Sequence, residues 1–322
     1  MDNLTHTLVG VALARAGLGR RLPRASLVLA LAANGPDIDA IAWAFGSLAH
    51  LRYHRGLTHS LVGVPLVAAL AVLVARLLAG RRGREFSWPR AGLACLTAVA
   101  THPLLDLTNI YGIRPWLPFS STWYSQDIVY IVDPWIWAAL AAALAGPALG
   151  RLISGEIGAP AGAGRAAALL ALLFLPAWWG LRGVFHSRAL RMLEAHTYAG
   201  EAPRRVAAFP TPLSPFRWTG YVETEGFQQL PPVDVLGSLD PARGRVLYRP
   251  EPSPTIQAAL RTETARHFSV FARYRHESVE RHPDGWRVTL TDLRFAGERP
   301  NAFVCSIVLD AGLRVVREGF SF

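Results

Sequence analysis

Apolar and polar positions follow two regimes along this chain. Up to about Leu181, long apolar runs alternate with short basic or polar loops. After it, apolar residues alternate with polar ones between turn-forming residues. The first regime predicts helices over Leu4–Ala16, Leu27–Ala33 (capped by Ser26 and stopped at Asn34-Gly35-Pro36), Leu61–Ala79, Ala91–Leu107, Ile128–Leu149 and Ala166–Leu181, with a further apolar stretch at Ala40–Phe45. The first two are short for a full span of about 20 residues, whereas Leu61–Ala79 is a clear spanning candidate. The second regime predicts an amphipathic helix at Ser187–His196 and a proline-rich irregular stretch at Val206–Pro215. Strands follow at Arg217–Thr224 and Arg245–Arg249, then a helix at Thr255–His267. Four more strands, Ser269–Val279, Trp286–Phe295, Phe303–Leu309 and Leu313–Phe320, include two pairs joined by the turns Pro283-Asp284-Gly285 and Asp310-Ala311-Gly312. The expected fold is a membrane α-helical bundle of about five to six hydrophobic helices, followed by a smaller soluble α+β domain with an antiparallel sheet. The domains fall at 1–181 and 182–322.

Composition sharpens the membrane reading. The 322 residues are 51% hydrophobic and only 17% charged, too apolar for an ordinary soluble chain, and the mean hydropathy of +0.24 agrees. The net charge of +10 sits largely in short loops and along the C-terminal domain. That distribution fits topology signals and anionic lipid better than nucleic acid, which is not an expected partner. Cys95 and Cys305 lie far apart and form neither a disulfide framework nor a metal motif. Met1-Asp2-Asn3 has no basic region, and His6 and Arg15 interrupt the first apolar run, so a cleaved signal peptide is not expected.

Charge also orients the bundle. The basic loops at Arg20–Arg24 and Arg81–Arg90 belong in the cytoplasm by the positive-inside rule. The helices then alternate so that His6, Asp37, Asp39, His54, His59, His102, Asp106, Asp127 and Asp133 all fall at the outer end. Random polar residues in independent helices would not agree in this way. The agreement points to one composite site on the periplasmic side of a multi-pass protein.

The densest chemistry lies in His54-Arg55-Gly56-Leu57-Thr58-His59-Ser60, just before an apolar run. Gly56 suggests a turn, and Thr58 is a reasonable N-cap that would put His59 in the first helical turn. Polar groups this dense at the mouth of a hydrophobic segment are costly unless something binds them, and imidazole suits zinc and other first-row metals. His102 and Asp106 are four apart, on one helical face; a self-satisfied pair in the core explains them equally well. Asp37 and Asp39 follow a Gly-Pro turn, where both carboxylates can point at one ion or simply cap a helix. Arg55 can hold an oxyanion through bidentate hydrogen bonds, or be an interfacial arginine. Asp133 before Pro134 reads as a cap. The remaining histidines, among charged residues of the C-terminal domain, take no role.

The motifs Thr5-His6-Thr7, Pro36-Asp37-Ile38-Asp39, His54 to Ser60 and Thr101-His102-Pro103-Leu104-Leu105-Asp106 together resemble the YdjM-like family of bacterial inner-membrane proteins, described as metal-dependent hydrolases. The resemblance covers about the first 140 residues. The segment from Phe209 to Trp218 also looks like the C-terminal part of longer members. The pattern is more distantly similar to zinc-dependent phospholipase C enzymes. The resemblance implies His6, Asp37, His59, His102 and Asp106 as leading metal ligands, with Asp39 and His54 next.

The expected function is a membrane-integral metal-dependent hydrolase acting on a phosphoester or lipid-linked substrate at the outer face of the inner membrane. The metal would be zinc, with manganese the second choice. Asp39 or Asp106 would act as base or orient water, and Arg55 would hold an anionic group. The rival expectation is non-catalytic: a structural His/Asp metal site, or an ion pathway in a transporter-like protein.

Overall fold

A computed structural model describes residues 1–20, 22–80, 86–157, 164–296 and 303–322. Arg21, the basic loop at 81–85 and most of the Gly/Ala/Pro linker (158–163) lie outside the described residues. The chain divides into two compact units, one of residues 1–39 and 55–184, the other of residues 40–54 and 185–322. The division is therefore not a single cut.

The first unit is helical. Helix α1 (Asn3–Ala16) begins because Asp2 caps it: its carboxylate accepts from the Thr5 backbone N–H at 3.0 Å and from the Thr5 hydroxyl at 2.6 Å. It ends where Gly17 turns left-handed at φ 110°. Helix α2 (Ala25–Asn34) packs closely on α1, and Gly10 permits it, since a Cβ there would lie 2.4 Å from the Leu29 carbonyl oxygen. Arg24, left-handed at φ 54°, precedes α2, so the expected Ser26 cap is not used. Helix α2 stops at Asn34 as expected, and the chain continues through Gly35-Pro36 as a 3-10 helix over Gly35–Phe45.

Helix α3 (Ser47–Tyr53) and a 3-10 turn at Leu57–His59 come before α4 (Gly63–Ala79). His59 thus sits in that tight turn rather than in the first turn of α4 as expected, and Thr58 is not the cap. Helix α5 (Trp88–Thr108) keeps Pro103 inside it. Helix α6 starts only at Pro134 and runs to Ile157. The expected start at Ile128 fails because Asp133 takes the capping position, its Oδ1 accepting from the backbone N–H of Trp135 and Ile136. Helix α7 (Gly164–Glu194) joins the last expected span and the expected amphipathic helix into one element. Two apolar cores hold the unit together. One is built on Val28, Leu29, Val72 and Val99, the other on Val9, Leu105, Ile136, Leu140 and Leu175.

Among the described residues, three helical stretches are long and apolar enough to cross a membrane: Ala25–Phe45, Trp88–Thr108 and Gly164–Glu194. A bent pair, Ser47–His59 with Gly63–Ala79, makes a fourth if read as one broken span. This is fewer than the five to six expected. Helix α1, with 14 residues, rises roughly 21 Å, short of a hydrocarbon core of about 30 Å. The apolar part of α6, Pro134–Pro147, is likewise short. On α4 the residues Leu66, Leu70, Leu73 and Leu77 form one helical face and are 50–79% exposed, as a surface turned to lipid would be.

The second unit carries the sheets. Strands β1 (Arg205–Pro210), β2 (Arg217–Glu223), β3 (Phe227–Leu230) and β5 (Arg245–Tyr248) pair antiparallel in that order, and β4 (Pro232–Asp234) also pairs with β2. Strand β1 lies in the stretch expected to be irregular. Its only proline is the last residue, Pro210, opposite Trp218, where a missing donor does least harm. Helices α8 (Pro254–Leu260) and α9 (Glu263–Phe271) pack on a second antiparallel sheet, β6 (Arg275–His282), β7 (Gly285–Asp292), β8 (Val304–Leu309) and β9 (Val315–Ser321). Residues 269–271, expected in a strand, complete α9 instead.

Candidate metal centre

Four elements of the first unit deliver polar side chains to one point. Asp2 capping puts His6 in the first turn of α1, and the 3-10 helix after α2 carries Asp37. His59 comes from the tight turn before α4, which can lie against that helix only because Gly63 has no Cβ; one there would lie 1.7 Å from the Leu57 carbonyl oxygen. Helix α5 supplies His102 and Asp106 from the same face. His6, His59, His102 and Asp106 are fully or almost fully buried.

The donor atoms of four of these side chains crowd together. His59 Nε2 and His102 Nε2 are 3.1 Å apart. Asp37 Oδ1 lies 3.5 Å from the first and 3.4 Å from the second. Asp106 Oδ2 lies 3.5 Å and 3.4 Å from the same two atoms. A tetrahedral zinc with bonds of about 2.0–2.1 Å separates its ligands by about 3.3 Å. These five separations, 3.1–3.5 Å, are close to that ligand spacing.

Proton placement says the same. His102 Nδ1 is 2.6 Å from the Ala33 carbonyl oxygen, which only accepts, so Nδ1 carries the proton and Nε2 presents a lone pair. His59 Nδ1 lies 3.2 Å from Asp39 Oδ2 and 3.1 Å from the Thr58 hydroxyl, whose own proton goes to Asp39 at 2.6 Å. His59 Nδ1 is then the donor as well. Two imidazole lone pairs and two carboxylate oxygens facing one point repel unless a cation joins them. Both ring nitrogens of His6 and Asp106 Oδ2 are buried with no hydrogen-bond partner among the described residues. His6 also stacks on His102 with ring centroids 3.7 Å apart. Two groups suited to a metal overlap here, His6 with Asp37 and His102, and His59 with His102 and Asp106. The donor set fits a divalent metal.

Residues 1–189 match the YdjM inner membrane protein family. The chain belongs to that family. Residues 254–321 match the YfhP C-terminal alpha/beta plait domain. The chain is also similar to the Uncharacterized protein YfhP of Bacillus subtilis (strain 168), with 30% identity over 158 residues, 45% of this chain and 46% of that protein. The match thus spans less than half of that relative's length. No solved structure matches the chain. Family and apolar helices together make this a membrane protein.

In this YdjM-family chain the other expected site residues are placed as follows. Arg55 does not offer its guanidinium outward. It is buried, left-handed at φ 50°, and donates from Nη1 to Asn109 Oδ1 and the Gly112 carbonyl oxygen, both at 3.2 Å. Its Nη2 lies 3.2 Å from Asp106 Oδ1, and its charge sits over the Tyr111 ring at 4.5 Å. Arg55 thus holds Asp106 Oδ1 from within the protein. The Met1 amino group contacts the same carboxylate oxygen. Asp39 Oδ2 accepts from Gly56 N–H at 3.3 Å as well as from Thr58, so this carboxylate orients the His59 turn. His54 belongs to the second unit, its ring stacked on His50 at 4.4 Å. Asp133 caps α6 as expected and takes the Trp178 indole N–H at 3.1 Å. Asp127 accepts from the Ser125 hydroxyl at 2.6 Å.

Asn109 is a site residue that sequence reasoning missed. It is buried, accepts from Arg55 and from Tyr111 N–H at 2.8 Å, and donates to Asp106 Oδ1 at 3.4 Å. Its signal was its position three residues after Asp106, at the cap that ends α5.

Proposed function

We propose that this protein is a membrane-integral, metal-dependent hydrolase acting on phosphoester or lipid-linked substrates. The observation that carries the reading is the set of His59, His102, Asp37 and Asp106, whose carboxylate oxygens each lie 3.4–3.5 Å from two imidazole nitrogens that are themselves 3.1 Å apart. Zinc suits two nitrogens and two oxygens at this spacing, and manganese is the second choice. A bound divalent cation supplies Lewis-acid polarisation of the scissile group and activation of water at neutral pH. The chain's own residues do the rest. Asp39 and the Ala33 carbonyl oxygen hold the two imidazoles in the ligating tautomer. Arg55 and Asn109 hold Asp106. Asp37, the ligand left with some exposure (12% of its side chain), is where a reacting group enters.

The positive charge of Arg20–Arg24 and Arg81–Arg90 supports a cytoplasmic position for those loops and, with it, a periplasmic cluster within reach of lipid head groups. A structural metal site is the second reading, favoured by the burial of His6, His102 and Asp106. Elemental analysis of detergent-purified protein tests both, with His59→Ala and His102→Ala beside wild type. Stoichiometric zinc or manganese lost in both variants, with p-nitrophenyl phosphoester hydrolysis lost alongside, is the expected result. Metal without hydrolysis of phosphoester or lipid probes, and a melting temperature that collapses on chelation, would favour the structural site. No metal after reconstitution would sink both readings.

A further inference from the structure

The second unit has a polar cavity of its own, of about 320 Å³. It is lined from β1, β2 and β3, from Arg249 just after β5, and from the segment that leads out of α9 into β6. Small-molecule sites start at about that size. The lining carries four arginines, Arg205, Arg249, Arg273 and Arg275, against two glutamates, so positive charge is in excess by two.

Both glutamates are already held. Glu223 takes Arg249 Nη2 at 2.5 Å and the Tyr221 hydroxyl at 2.6 Å. Glu277 takes Arg275 Nε at 3.0 Å and Nη2 at 2.6 Å. Arg205 is different. One of its N–H groups goes to the Arg273 carbonyl oxygen at 3.1 Å, and its guanidinium lies over the Tyr274 ring at 4.2 Å. No carboxylate among the described residues lies within ion-pair distance of it. The Arg273 guanidinium lies over the same ring at 5.6 Å. An anion entering here meets carboxylates whose charge is matched and an exposed arginine that no carboxylate pairs.

A lone pair lines the same cavity. Gln228 is buried, and its amide nitrogen donates to the Tyr221 hydroxyl and to the Arg275 carbonyl oxygen, both at 3.1 Å. The carbonyl only accepts, which fixes the amide. Gln228 Oε1 therefore faces His276 Nδ1 at 2.9 Å and accepts from it. Burial, with the charges of Arg245 and Arg249 adding to it, holds the His276 pKa below its usual value, so the ring is neutral near neutral pH. Its Nε2 is then an acceptor with no partner among the described residues, on a half-buried ring at the cavity wall. A phosphate oxygen, itself an acceptor, does not satisfy it; a hydroxyl does.

We propose that the cavity binds a small phosphate monoester bearing a hydroxyl group, its phosphate paired with Arg205 and its hydroxyl donating to His276 Nε2. Two negative charges answer the excess of two in the lining, and a guanidinium takes a phosphate through paired N–H donors. A free polyol phosphate and the head of lysophosphatidic acid share this chemistry. The proposal is independent of the metal centre and of hydrolysis there.

The test is isothermal titration calorimetry on the full-length protein in an uncharged detergent, with glycerol 3-phosphate, inorganic phosphate and glycerol as separate probes. Glycerol 3-phosphate should bind saturably, inorganic phosphate more weakly, and glycerol not at all. Arg205→Gln loses a charge-assisted pair, which corresponds to about tenfold weaker binding of both phosphates. His276→Asn keeps a donor for Gln228 Oε1 but removes the Nε2 acceptor. It should weaken glycerol 3-phosphate and leave inorganic phosphate as it was. Arg261→Gln, at an exposed arginine outside the cavity, should change neither. Lysophosphatidic acid in the same micelles identifies the source. Binding tighter than that of glycerol 3-phosphate and weakened by Arg205→Gln assigns the cavity to a lipid head; no binding assigns it to the free ester. Should His276→Asn not fold, the Arg205→Gln comparison carries the test alone. No saturable heat from either phosphate up to about 10 mM, or binding that Arg205→Gln leaves intact, would overturn the proposal. Binding of the latter kind would point to phosphate at the metal centre, supporting the hydrolase reading while removing this one.

Discussion

His59 and His102 face each other Nε2 to Nε2 across 3.1 Å, each with its other ring nitrogen occupied as a donor. With both rings neutral, neither of these nitrogens has a proton to offer the other, and the pair is a preformed half of a metal site held by its surroundings. The first prediction concerns those surroundings. Asp39→Asn keeps the shape but removes the carboxylate behind His59 Nδ1. Zinc affinity, measured by competition with a chromophoric chelator, should fall about 10–100-fold with the fold intact. An unchanged affinity would mean that Asp39 does not set the tautomer.

Gly63→Ala is a test that touches no donor atom. The added methyl meets the Leu57 carbonyl oxygen, so the turn carrying His59 must shift away from α4. Metal content should drop while circular dichroism keeps its helical signal. Full metal occupancy in this variant would show that the turn has slack the close approach does not suggest.

Much of this centre was legible before the fold was seen. His102 and Asp106 announced one helical face by their spacing, and the alternation of helices put His6, Asp37 and His59 at the same end. The partners of Arg55 were not legible, because Asn109, Gly112 and Tyr111 are more than fifty residues away and no local pattern distinguishes an inward guanidinium from an outward one. The 3-10 turn at Leu57–His59 was also hidden: it depends on Gly63 permitting a backbone contact, which periodicity does not encode. The sheet was read well where turns are strong, as at Pro283-Asp284-Gly285, and poorly at β1, where prolines outweighed the alternation.

The second unit should be sensitive to acid. Burial lowers the His276 pKa below its usual value, with the Arg245 charge adding to it. The Glu223 pKa is also low, since the Tyr221 hydroxyl and Arg249 outweigh a burial that alone would raise it. Both groups bind protons more readily in the unfolded chain. Their stabilisation is present above the unfolded pKa of each and is lost as pH falls through the folded one. Melting temperature in detergent should fall from pH 7.5 towards pH 4 (about 6.5 and 4.3 being the unfolded values for His and Glu). His276→Asn should flatten the upper part of that slope. An equal slope in the variant would assign the acid effect elsewhere.

Asp292→Ala should be among the most damaging changes in the same unit. Arg294 and Asp292 are both buried, joined by paired contacts, and Arg294 also donates to the Phe271 carbonyl oxygen at 2.8 Å. Removing one partner strands a buried charge, a loss of about 3–5 kcal/mol. Chemical denaturation would register it as a lower midpoint. Replacing both residues by apolar ones of similar volume should recover most of the loss.

Asp39 and Arg55 stand at the two ends of the excursion that sends residues 40–54 into the second unit. Asp39 orients His59 and Arg55 anchors Asp106. The two units are therefore not beads on a string that recombination or a protein engineer can exchange by one cut. A fragment ending near Val184 would carry Trp43 and His50 away from Phe322, their ring partner. The excursion ties the inheritance of the two halves together, and a change at Phe322 is one that the chemistry at Asp39 and Arg55 would have to survive.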